Sequence, residues 1–228
     1  MKIMSMRKIL YRNILSPMKR FKQILILFIL LNSTSLIANP KFKIDDNILY
    51  YNTNLAVDES NQEINWDDVD YFKKVLKENP GIKIIHLTSW GGQVAAAVEM
   101  ADIIIDYELD THVQEICFSA CPLLLIGGVT RTLEKGSKID FHRTYWSSDS
   151  MKTYYEDEEL KEIYEWKNEF DFSSWAYDDS QEEIYQQFKY YLERGVDPEF
   201  VIETMKARSD DGWYPRRTEL LSAKILTK

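Results

Sequence analysis

From Asn47 onward the chain alternates short apolar runs with longer segments whose apolar residues recur at helical spacing. "NILYYNTNL" (47–55) predicts a strand followed by a loop. In "NWDDVDYFKKVLKEN" (65–79), Val69, Phe72, Val75 and Leu76 fall three or four apart or adjacent, so one helix face is apolar. Pro80 and Gly81 end that helix. "IKIIHLTS" (82–89) is a short β-rich run of the kind a buried parallel strand needs, and Gly91 and Gly92 follow at once. "QVAAAVEMADIIIDY" (93–107) predicts a helix with a small-residue face. "THVQEI" (111–116) predicts a second strand of this sheet, "SACPLLLIGG" (119–128) a second small-residue helix, and "SKIDFHRT" (137–144) a third strand.

The character changes at Tyr145. Aromatic and acidic residues dominate through 145–194, which predicts a helical arm. Ser180 and Glu183 have the S-x-x-E spacing of a capping box, predicting a helix that starts there, runs to Arg194 and stops at Gly195. A further short helix is expected over 197–207, and "TELLSAKIL" (218–226) closes the chain. The β-α-β-α-β order of the first part predicts an α/β domain, with helices packed on a mainly parallel sheet.

The N-terminal pattern is of another kind. Lys19, Arg20 and Lys22 precede an apolar run from Ile24 to Leu31, and small polar residues end at Ala38. That is the layout of a secretory signal, with Met18 an alternative start. The expectation is a signal over 1–38 and one domain over 39–228, working in the periplasm or outside the cell. If uncleaved, the segment would anchor the protein in the membrane, facing the periplasm. The net charge of −9 argues against a nucleic-acid partner, which needs clustered Lys and Arg. Three histidines and two cysteines, with no C-x-x-C or H-E-x-x-H, imply no metal, and no P-loop implies a nucleotide, so no cofactor is expected.

Successive parallel strands deliver their following loops to one sheet edge. Those loops hold "SWGG" and "CFSAC", and "FH" lies at or near the third strand's end. A two-glycine turn can aim free N–H groups at an anion, a serine at a helix N-terminus sits in positive potential, and a nearby histidine can take its proton. Each part has a plainer reading: a tight turn, an N-cap, a core histidine. Their conjunction at consecutive strand ends points to acyl transfer. Cys117 and Cys121 flank Ser119. On one helical turn their Cβ atoms would lie about 5–6 Å apart, longer than a disulfide wants, which favours small buried residues over a cross-link or a thiol nucleophile.

"LTSWGGQVAAAVEMADII", "CFSACPLLLIGGVTR" and "IDFHR" resemble the Clp protease proteolytic-subunit family, within the crotonase-like superfamily, most of all its secreted, periplasmic-type branch. The resemblance covers roughly 83–144. It implies a ClpP/crotonase-like fold: a mainly parallel sheet of repeated β-β-α units with helices packed on it, plus a helical insertion. It assigns Ser119 as nucleophile, His142 as base, and the N–H groups of Gly91 and Ala120 as oxyanion donors, with Gly92 and Trp90 against the substrate. A gapped match of the closing helix makes Asp211, or alternatively Asp210, the third triad member. Trp90 stands where the family usually has proline, and Asp140 where it commonly has glycine. Asp140 and His142 are two apart, so on a strand they share a face; exposure of Asp140 is the plainer expectation. The resemblance further implies a peptide or protein substrate, a homo-oligomer, and an arm that grips substrate or contacts subunits; the plainer reading is that its aromatics pack on each other and on the main domain. The leading function is a serine peptidase. The alternatives are a degenerate envelope binding protein of the same fold and a crotonase-like acyl-CoA enzyme.

Overall fold

The structure is a computed structural model and describes residues 39–228 except Ser209. The signal or anchor expected over 1–38 lies outside the described residues. Among the described residues no helix is long and apolar enough to cross a membrane.

A six-stranded sheet organises the domain. Its strands are β1 (Phe42–Asp45), β2 (Ile48–Asn52), β3 (Ile84–Ser89), β4 (Asp110–Cys117), β5 (Arg131–Leu133) and β6 (Lys138–Ile139). The order is β1-β2-β3-β4-β5, with β6 also pairing with β4. Only β1 runs antiparallel, folded on β2 as a hairpin; β2 through β6 are parallel to their partners. Sequence patterning missed β1 and β5, which are short and border the sheet, and it predicted β6 too long.

Three helices cover one face: α1 (Trp66–Glu78), α2 (Val94–Asp106) and α3 (Cys121–Gly127). Asn65 accepts the Asp68 N–H and Asp68 accepts the Asn65 N–H, a reciprocal box that fixes the start of α1. Val69, Phe72, Val75 and Leu76 are buried from it, as their spacing predicts. Helix α2 buries Ala96, Ala97, Met100 and Ala101, a small-residue face that permits close approach. Helix α3 is too short to be stable alone. Leu123, Leu124, Leu125 and Ile126 are fully buried, and at about 1.5–3 kcal/mol each that burial outweighs its weak intrinsic helicity.

The arm comprises α4 (Ser148–Glu156), α5 (Glu158–Tyr164) and α6 (Glu169–Glu193), followed by α7 (Pro198–Glu203) and α8 (Arg217–Ser222). The capping box expected at Ser180 is not there. Helix α6 begins at Glu169, with the Asn168 side chain accepting from Phe170 and Asp171 N–H groups. Ser180 lies inside the helix and donates to Ala176 O, the local bond serine makes when the helix continues through it. Trp166, Phe172 and Ala176 form a second buried cluster, with Met151, Tyr155, Leu160 and Trp175 packed around it. The C-terminal end of α6 is tied to α3: Tyr190 donates to Leu123 O, and Arg194 to the carbonyls of Ile126, Gly127 and Gly128. Those carbonyls are the ones a helix end leaves without partners.

Candidate active site

The turn after β3 is built on two glycines that no other residue could replace without strain. Gly91 has φ +103° and Gly92 φ +142°. Ile64 N–H donates to Gly91 O at 2.7 Å and Gln93 N–H to Ile64 O at 2.9 Å, which pegs the turn to the segment before α1. A Cβ on Gly91 would lie 2.5 Å from Ser119 Cβ and 3.0 Å from Ala120 N. The turn after β3 and the turn after β4 therefore touch at Ser119.

Ser119 is not the first residue of a helix. It has φ +58°, left-handed backbone that non-glycine residues seldom adopt, and α3 starts two residues later at Cys121. Cys117 ends β4 and Cys121 opens α3, and the two are joined as a disulfide with Cα atoms 5.2 Å apart. The expectation of free, small buried cysteines is corrected. It assumed that both lie on one helical turn, whereas the left-handed turn at Ser119 folds the strand end against the helix start, within normal disulfide reach.

The backbone donors around Ser119 differ in availability. Gly91 N–H donates to Ser89 Oγ at 3.1 Å, and Thr53 donates to the same Ser89 Oγ at 3.1 Å. Gly92 and Ala120 N–H groups donate to nothing among the described residues. Ser119 Oγ likewise has no hydrogen bond among them. Trp90 is 57 % exposed and meets Phe118 edge-on at 4.9 Å, and Phe118 meets Tyr214 at 5.4 Å, making an aromatic rail beside the serine turn. Trp90 stands out beside the glycine pair in the sequence, whereas Phe118 and Tyr214 do not, since Tyr214 comes from the far end of the chain.

His142 lies just beyond β6. Phe141, its neighbour, exchanges backbone bonds with Trp213 and is buried against Phe200 and Trp213, which holds the segment in place. His142 Nδ1 lies 2.9 Å from Arg143 O. A carbonyl can only accept, so Nδ1 carries a proton, and in the neutral ring the lone pair is on Nε2. That is the tautomer a base needs. A backbone carbonyl therefore sets the ring's tautomer.

The carboxylates do not sit where the sequence suggested. Asp210 is exposed and pairs with Arg208 at 3.2 Å. Asp211 is exposed, and neither carboxylate hydrogen-bonds His142. Asp140, expected at the surface, is buried at 5 % exposure, and its Oδ1 has no partner among the described residues. Gly212 packs directly on that carboxyl; a Cβ there would come within 2.3 Å of Oδ1. Burial raises the Asp140 pKa, opposed by the nearby His142 ring and the Trp213 N–H. The plainer expectation failed because Phe141 and the 211–214 segment close over this face.

No protein-family model matches the chain, and no curated protein matches it. Solved structures do. A ClpP1 mutant from Listeria monocytogenes superposes with a TM-score of 0.52 at 14% sequence identity, covering 72% of this chain and 85% of that chain. Together with the mostly parallel sheet and its packed helices, that likeness gives the chain a ClpP-like α/β fold.

Proposed function

We propose that this protein is a serine peptidase working outside the cytoplasm. The observation that carries the proposal is the contact of the glycine turn with a left-handed serine turn, leaving Ala120 N–H beside Ser119 free of any partner among the described residues. Ser119 attacks a peptide carbonyl. His142, with its proton on Nδ1, receives the serine proton at Nε2 and returns it to the leaving amine. The oxyanion is held by Ala120 N–H and by the glycine turn, where Gly92 offers an N–H with no partner among the described residues and Gly91 one shared with Ser89 Oγ. Trp90, Phe118 and Tyr214 receive apolar side chains of an extended substrate. Asp140, in place of Asp210 or Asp211, supplies the negative charge beside the imidazolium. The Cys117–Cys121 disulfide supports an oxidising compartment, in keeping with the signal-like N-terminus. Self-association through the arm completes the proposal: Phe170 and Tyr177 of α6 are 83 % and 70 % exposed.

Incubation with unfolded protein substrates tests this. Cleavage is expected from the wild type and none from Ser119→Ala. A second reading, an envelope binding protein of the same fold, is favoured by the missing hydrogen bond between Ser119 Oγ and His142. Tight binding of extended peptides without turnover would select it. Serine–histidine bonds are often long before substrate arrives, which agrees with the peptidase reading.

A further inference from the structure

We infer that the Cys117–Cys121 disulfide is a positioning device for Ser119: it holds the left-handed turn in which the serine hydroxyl is presented. The inference rests on Ser119 being the nucleophile.

Three observations carry it. The cross-link brackets the serine, spanning only four positions in sequence. A cross-link stabilises a fold mainly by restricting the unfolded chain, and that effect is smallest for the shortest loops. A four-residue link is therefore poorly placed as a global staple and well placed to fix local backbone. The backbone it encloses needs fixing: Ser119 has φ +58°, a conformation disfavoured for a residue with a Cβ, and such residues persist where their surroundings over-determine them. Both ends of the link are anchored. Cys117 pairs with Ser89 and Ile139 of the neighbouring strands, and both cysteines are fully buried in the main core. Cys121 N–H also donates to Phe118 O at 3.0 Å, so the covalent link and a backbone bond close the same turn.

Without the disulfide the turn keeps that hydrogen bond and the Gly91 contact but loses the tether between strand end and helix start. Ser119 then relaxes toward right-handed or extended backbone and carries Phe118 and Ala120 with it. That swings the hydroxyl and the Ala120 N–H away from their common target, so both the nucleophile and the oxyanion donor are affected. Reduction by a dithiol breaks the single S–S bond with uptake of two electrons and two protons, giving two thiols and the oxidised reagent.

The test compares wild type with Cys117→Ala/Cys121→Ala, reading the pseudo-first-order rate of fluorophosphonate labelling at Ser119 per folded molecule. Circular dichroism and thermal melting are followed in parallel. The expected result is labelling at least ten-fold slower in the variant, with the secondary-structure signal retained. A disulfide that serves only stability would lower the melting temperature and leave the labelling rate per folded molecule unchanged, which would overturn the inference. Should the double variant fail to fold, wild type is partly reduced with dithiothreitol, and free thiols are counted beside labelling. Labelling must fall in proportion to thiols released; full labelling with two free thiols per chain overturns the inference. Absence of labelling in the oxidised wild type would remove Ser119 as nucleophile and the clamp with it. Equal labelling of wild type and variant would remove the clamp alone.

Discussion

Gly91 and Ser119 lie so close that a single methyl group on the glycine would sit 2.5 Å from the serine Cβ. No real Cβ contact is that short, and φ +103° at Gly91 already disfavours any side chain. The contact ties two strand-end turns into one unit, and the chemistry proposed for Ser119 depends on it. Gly91→Ala is expected to destabilise the fold by about 2–4 kcal/mol through backbone strain and steric conflict. It should also reduce peptide cleavage at least 100-fold, because the turn separates. Melting curves and steady-state rates on the purified variant check both; unchanged rates would mean the contact is incidental.

Asp140 predicts opposite effects on stability and activity. Its carboxyl is buried, one oxygen has no partner among the described residues, and its folded pKa is raised. For an acid the sign is then fixed: the native state holds the proton more tightly, so Asp140 lowers stability as pH rises from the unfolded pKa through the folded one. Asp140→Asn keeps the shape and removes the charge. The variant should melt higher than wild type at pH 7 and the same at pH 3. Activity should fall about ten-fold, because the imidazolium formed during the reaction loses a neighbouring negative charge. Tyr214, Lys138 over its ring, and His142 are the other titratable groups on this side, so profiles of Tyr214→Phe and Lys138→Met serve as controls.

Glu183 predicts a second pH effect, on the arm. Its pKa is raised to about 7 by burial and by Asp179 nearby, and its Oε1 has no partner among the described residues. Stability from the protonated form is complete below the ordinary carboxylate range and is lost as pH rises through about 7. Glu183→Gln should flatten this part of the melting-temperature profile between pH 5 and pH 8. A profile identical to wild type would contradict it.

Lys41 and Asp68 form a buried ion pair at 2.8 Å, with side chains 4% and 0% exposed. Tyr51 donates to Asp68 at 2.7 Å and Asn39 at 3.2 Å, so the carboxylate is fully engaged. Removing one partner leaves a buried charge unpaired. Asp68→Ala is expected to cost about 3–5 kcal/mol by chemical denaturation, without altering the labelling rate of the molecules that remain folded.

The helices and inner strands were legible because their apolar spacing is strong, as Val69 to Leu76 and "IKIIHLTS" show. Ser119, His142 and the glycine pair stand out in the sequence because consecutive parallel strands deliver their loops to one edge, a rule of topology rather than of contact. What sequence could not show is what folding brings from far away. The 211–214 segment closes over Asp140, and Tyr214 reaches Phe118. The disulfide was misjudged for a single local reason, the positive φ at Ser119, which turned a presumed helical spacing into a bridgeable one. The start of α6 was missed because Ser180 mimics a cap, while Asn168 makes the real one.

The central claim is that Ser119 is the nucleophile. Its most direct measurement is the mass of the intact protein after exposure to a fluorophosphonate, with the adduct mapped to a single peptide. One adduct on Ser119 is predicted in the wild type and none in Ser119→Ala, with His142→Ala slowed by about three orders of magnitude. An adduct that persists in Ser119→Ala, or one that maps to another residue, would contradict the account.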